Sequence, residues 1–191
     1  MQRKVLMRNK FVGLVSLSLL VYLLIGSAYL VPKVSCFTSK TVNVSSEDDF
    51  LFTAIWLTDT QNLAEFKPDV FKNISRWIVK NKDSLNIKVV VHTGDIVNNG
   101  NDDTQLQNAK EALDIIYRAG IKILLLLGNH DVANWTKVEQ YLGYLLDYGG
   151  KIPPYYHEII DKFIFVMVSW GYESDADAIN YISSLAEQYP D

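Results

Sequence analysis

Three apolar runs in this chain each stop abruptly at side chains suited to metal binding or proton transfer. The stops are Asp59-Thr60-Gln61, Gly94-Asp95 and Gly128-Asn129-His130-Asp131. Asp59 and Asp95 are 36 positions apart and Asp95 and Asn129 are 34 apart, about the length of one strand-helix-strand unit of 30 or more residues. That spacing predicts three parallel strands whose carboxyl ends share one rim of one sheet, the rim where open α/β sheets gather their ligands.

The runs themselves fit this reading. Phe52 to Thr58, Lys88 to Thr93 and Ile121 to Leu127 read as strands, and Val89-Val90-Val91 is the continuous apolar run of a strand buried on both faces. Between the first two, Pro68 can open a helix whose core face would be Val70, Phe71, Ile74, Trp77 and Ile78. Between the second and third, Leu106, Ala109, Leu113 and Ile116 or Tyr117 form a stripe that Gly120 can end. Beyond the third, Thr136 and Glu139 have capping-box spacing ahead of Tyr141, Leu142, Leu145 and Leu146. Tyr155 to Ile160 and Phe163 to Trp170 read as a hairpin turning at Asp161-Lys162. A last helix, Asp175 to Gln188, would present Ile179, Ile182 and Leu185.

The amino terminus reads differently. Arg3, Lys4, Arg8 and Lys10 precede an uncharged run from Phe11 to Val31, which as a helix spans roughly 30 Å, enough to cross the hydrocarbon core of a bilayer. Basic residues ahead of such a run stay cytoplasmic, so the residues after Val31 are expected outside the cytoplasm. Gly26 and Ala28 form a passable cleavage site for a signal peptide, but the run exceeds a usual signal core of about 7–15 residues, which favours an uncleaved anchor. The expected organisation is therefore residues 1–31 as signal anchor or signal peptide, 32–50 as linker, and 51–191 as the folded domain. Asn43, Asn73 and Asn134 stand in glycosylation acceptor patterns, which suit an exported chain.

Composition excludes several alternatives. With 49% hydrophobic and 21% charged residues the chain is neither disordered nor fibrous. A net charge of -4 argues against a broadly basic nucleic-acid surface. The single cysteine, Cys36, rules out an internal disulfide framework.

Asp59, Gln61, Asp95 and Asn129 supply carboxylate and amide oxygens, hard donors that suit Mn, Fe or Zn. Two such ions about 3.5–4 Å apart orient a phosphate and acidify water. His130, beside Asn129, can protonate a leaving oxygen, and the adjacent Asp131 is placed to orient its imidazole. Of the other histidines, strand alternation turns His92 away from Asp95 into packing or a hydrogen bond. His157, in the expected hairpin, reads as structural or solvent-facing.

The three blocks, in this order and spacing, resemble the calcineurin-like metallophosphoesterases over roughly residues 52–170. The Gly128-Asn129-His130-Asp131 block is the specific part of the likeness. The resemblance implies an α/β/β/α sandwich, present here in incomplete form, and hydrolysis of phosphomonoesters or phosphodiesters at a dinuclear metal centre. Under it Asp95 bridges two divalent ions, Asp59 and Gln61 serve the first, Asn129 serves the second, and His130 is the catalytic histidine with Asp131 as its partner. Two departures stand out. Gln61 replaces the more usual histidine of an Asp-x-His block, and the lone histidine and Gly-His-x-His block that complete both metal sites are missing. Full activity is accordingly expected to need sequence beyond residue 191. A non-catalytic extracytoplasmic module that keeps the fold and binds a ligand or partner is the alternative from another class.

Overall fold

The computed structural model describes residues 51–190. The apolar run 11–31 and the linker 32–50 lie outside the described residues, and no helix among those described is long and apolar enough to cross a membrane.

Three strands, β1 (Thr53–Leu57), β2 (Ile87–His92) and β3 (Lys122–Leu125), form a parallel sheet in the order β1-β2-β3. Leu57 pairs with His92 and His92 with Leu125, so all three strands end at the same level. The connections are helical, as parallel neighbours require: α1 (Gln61–Phe66) and α2 (Pro68–Lys80) join β1 to β2, and α3 (Asp103–Arg118) joins β2 to β3. Val89, Val90, Ile123, Leu124 and Leu125 are sealed between this sheet and its neighbours, packed with Phe71 and Ile78 of α2 and Leu106, Leu113 and Ile116 of α3. Asp102 caps α3 by accepting hydrogen bonds from the Thr104 and Gln105 amides, two of the donors a helix start leaves unpaired.

A short 3-10 turn, Asp131–Asn134, leads into α4 (Trp135–Leu142), and a hairpin of β4 (Tyr155–Ile160) and β5 (Phe163–Val168) comes next, before α5 (Ala176–Gln188). The hairpin turns at Asp161-Lys162, since Ile160 pairs with Phe163. It is tied to β3 by polar contacts. The Tyr156 hydroxyl accepts from the Leu125 amide at 2.9 Å and donates to the Leu125 carbonyl at 2.8 Å. Farther along, the Ser169 hydroxyl accepts from Leu127 N–H at 3.0 Å, and Trp170 N–H donates to the Leu127 carbonyl at 2.8 Å. The parallel α/β sheet is as the strand spacing predicts, and the described residues comprise it and this antiparallel pair.

Three local expectations are corrected. On α2 the buried stripe is Phe71, Ser75 and Ile78, with Ile74 half-buried and Val70 and Trp77 exposed. The five-residue apolar face spans two adjacent stripes, and only one meets the core. The same happens on α5, where Ala178 and Leu185 are buried while Ile179 and Ile182 are exposed. The cap of α4 is Asn134, whose side-chain oxygen accepts from the Lys137 amide at 3.1 Å. Glu139, expected to complete a capping box with Thr136, instead accepts from the Ile152 amide at 3.0 Å.

Candidate metal and catalytic site

The three strand endings do form one rim. Asp59 lies two residues past the end of β1, Asp95 three past β2, and Asn129 four past β3. Asp59 and Asp95 both have left-handed backbones, φ 52° and 48°, a conformation uncommon for residues other than glycine. Such strain persists only where surrounding contacts hold it, and it concentrates at functional sites. Asp59 N–H donates to the Gly94 carbonyl at 3.2 Å, which joins the first two endings.

The second and third endings touch backbone to backbone, and both glycines are needed for it. Gly94 has φ 88°, and a Cβ there would lie 2.5 Å from the Gly128 nitrogen. A Cβ on Gly128 would collide with the Asp95 nitrogen and Oδ1. This contact lets the His130 amide donate to Asp95 Oδ1 at 3.1 Å, placing Asp95 beside the Asn129-His130 step.

Asp131 is fully buried. Its carboxylate accepts from the Ile96 amide at 3.0 and 3.2 Å, from Val97 at 3.0 Å and from Gly128 at 2.9 Å. Burial pushes its pKa up to about 6 against the pull of these three donors, with the Asp95 charge adding to the rise. Asp131 therefore clamps the third ending to the second, and its hydrogen bonds go to these amides and not to the histidine expected as its partner. His130 instead sets its Nδ1 2.8 Å from the Asn98 carbonyl. A carbonyl only accepts, so that nitrogen carries the proton and Nε2 is left for other chemistry. Asn98 is in turn held by its side-chain amide, which donates to Glu65 of α1 at 2.8 Å.

Gln61 opens α1, and its Oε1 is buried without a hydrogen-bond partner. An acceptor oxygen left in that state costs roughly 1–3 kcal/mol, and a cation would satisfy it. Asp59 and Asn129 are exposed at the rim, and Asp95 is half-buried. Among the described residues no group of three or more His, Cys, Asp or Glu side chains converges as a metal site. The candidate donors are two carboxylates and two amide oxygens. They fit part of a site for hard divalent ions and lack an imidazole.

The remaining histidines are accounted for by packing. His92 is fully buried, and its Nε2 lies 2.9 Å from the Thr60 hydroxyl, which also donates to the Ile96 carbonyl at 3.2 Å. His157 Nδ1 lies 2.5 Å from the Tyr181 hydroxyl. Among these bonds, only the one from His92 reaches a rim ending, at Thr60, between the candidate donors Asp59 and Gln61. Thr60 and Asn98 are site-shaping residues that sequence patterns do not single out. Their positions, inside one ending and just past another, are the only signal, since both act through contacts more than thirty residues away.

A family model described as "Calcineurin-like phosphoesterase" matches residues 52–187. A Bacillus subtilis (strain 168) protein described as "Uncharacterized protein YvnB" is 31% identical over 170 residues, an alignment that covers 78% of this chain. The chain spans only 13% of that relative's length. With a match over most of its described residues, the chain belongs to the calcineurin-like phosphoesterase family.

Proposed function

We propose that this chain contributes the amino-terminal part of a phosphate-ester hydrolase that works with two divalent ions, Mn, Fe or Zn. Asp59 and Gln61 would hold the first ion, Asn129 the second, and Asp95 would bridge them. The observation that carries the reading is the buried, partnerless Gln61 Oε1 on the same rim as two strained aspartates. When bound, such ions supply positive charge that orients and polarises a phosphate and acidifies water.

The chain's own residues account for the rest. The Asn98 carbonyl holds the His130 Nδ1–H, so Nε2 is the nitrogen that would accept a proton and then pass it to the leaving oxygen. The Gly94-Gly128 contact and the Asp131 clamp keep Asp95 and His130 in register. An oxygen donor at Gln61 in place of an imidazole nitrogen favours harder ions at the first position. With His92 sealed in the core and His157 engaged by Tyr181, this reading draws the missing imidazoles from sequence beyond residue 191.

The test is Mn2+-dependent hydrolysis of p-nitrophenyl phosphate and its bis-ester by the natural chain extended past residue 191. Asp95→Ala and His130→Ala should each cost ~100-fold or more, the scale of losing a general acid or a site's central ligand. Unchanged rates in both would sink the site. Tight Mn2+ binding without turnover would point to the ligand-binding module instead. We further propose that residues 11–31 tether the domain outside the cytoplasm, which protease protection in spheroplasts checks; cleavage only after lysis is the contrary result.

A further inference from the structure

His92 is the largest polar investment in the core that the proposed chemistry leaves unused. It occupies the last position of the central strand, fully buried, one strand away from the turn that carries Asp59 and Gln61. Its Nδ1 has no partner, and its Nε2 meets the Thr60 hydroxyl at 2.9 Å. Thr60 has one hydroxyl proton, and the Ile96 carbonyl, 3.2 Å away, can only accept it. The imidazole must then give its Nε2 proton to Thr60, which leaves Nδ1 as a bare lone pair. The opposite tautomer would bury an unpaired N–H donor, the rarer and costlier state. The pKa agrees with a neutral ring, since burial lowers it to about 4 although the nearby Asp59 charge acts the other way.

Thr60 is where this matters. Its carbonyl starts α1 by accepting from Leu63 and Ala64, each at 2.9 Å, and its side chain reaches both β2 and the loop after Asp95. The residues on either side are Asp59, in a left-handed backbone, and Gln61, with its orphaned oxygen. Asp59 lies just past the end of an edge strand and is exposed, so no packing of its own side chain holds it in place.

We propose that His92 is a positioning residue for the first metal position: through Thr60 it locks Asp59 and Gln61 to the strand that delivers Asp95. This rests on the metal-site reading of the rim and extends it to a residue that touches no ligand. Partners of this indirect kind, when removed, cost about 10- to 100-fold in metal affinity.

The experiment uses the full chain in detergent, with Mn2+ binding read from the EPR signal of the free ion and thermal unfolding monitored alongside without metal. His92→Leu keeps bulk and removes the proton donor; Thr60→Val removes the hydroxyl at constant shape. Each should weaken Mn2+ binding by about tenfold or more, and the double variant should be no worse than either single one, as expected of residues acting in one chain of contacts. His92→Gln, which returns an N–H near the Nε2 position, and Thr60→Ser should recover most of the affinity. Ser75→Ala, which removes an equally buried hydroxyl that bonds only within α2, should leave Mn2+ binding unchanged. Affinity for His92→Leu within about twofold of the unsubstituted chain, or additive losses in the double variant, overturns the proposal. If His92→Leu does not fold, the Thr60→Val and Thr60→Ser pair decides on the same criteria. If the unsubstituted chain binds no Mn2+, the metal reading fails for this chain by itself. Hydrogen exchange of the metal-free protein then judges His92: faster exchange confined to Asp59–Ala64 in His92→Leu supports the lock, and unchanged exchange there overturns it.

Discussion

The central strand β2 and the edge strand β1 deliver their aspartates to the same rim by opposite means. Past β2, Asp95 is half-buried, bonded by the His130 amide, and succeeded by Ile96 and Val97, whose amides end on the buried Asp131 carboxylate. Past β1, Asp59 is exposed, and Trp56 on the strand itself is 71% exposed. The central ending is embedded in the molecule, whereas the edge ending hangs from the Gly94 carbonyl and from the Thr60 side chain. A metal position can be preorganised either by burying its ligand or by bracing the turn that carries it. Under the proposed metal site, Asp95 would be held by the first means and Asp59 and Gln61 by the second.

Acid should reveal the brace first. With its pKa lowered by burial from 6.5 to about 4, His92 stays neutral in the folded chain while the unfolded chain takes up a proton. Its contribution to stability is therefore complete above pH 6.5 and is lost as pH falls towards 4, by roughly 3 kcal/mol over that window. Asp131 tilts the other way between its ordinary value of 3.8 and about 6, because there the folded state holds the proton and the unfolded state does not. The measurement is thus a difference: urea unfolding free energies of the unsubstituted chain minus those of His92→Leu, at about pH 7 and about pH 4. A difference that does not change with pH would show that the ring is not buried neutral.

Breaking the clamp on the central side comes next. Asp131→Asn keeps the shape but turns an N–H2 towards backbone N–H donors, so at least one of the Ile96, Val97 and Gly128 amides loses its acceptor. Urea melts at neutral pH should show a loss of about 2 kcal/mol. A loss near zero would mean that the amides find other partners and that the two endings are not held by this carboxylate. The smallest effect belongs to the edge strand: Trp56→Ala should change stability by less than about 0.5 kcal/mol, as surface positions do. A much larger loss would mean that β1 is as deeply packed as β2 and would erase the contrast.

Much of this fold is legible in the chain alone. Buried parallel strands show as unbroken aliphatic runs, and Val89-Val90-Val91 and Ile123-Leu124-Leu125 are such runs. The hairpin at Asp161-Lys162 shows in the same way, through two apolar stretches on either side of a short polar turn. Helix α1 escapes a reading of the sequence because six residues are too few to display a helical period, and because they begin inside a motif that reads as chemistry. The exposure of Val70, Trp77, Ile179 and Ile182 escapes it for another reason: periodicity shows which residues share a side of a helix, while the neighbours decide how much of that side is covered.

The sequence by itself determined that three turns bearing oxygen donors close three parallel strands, because strand length, crossover length and the two small residues Gly94 and Gly128 are local properties. Only the tertiary structure decided that Asp131 serves backbone amides rather than His130, that Asn98 takes its place, and that His92 reaches Thr60. Hydrogen-bond partners of buried polar groups are chosen by which distant atoms arrive within about 3 Å after packing, and no spacing along the chain encodes that.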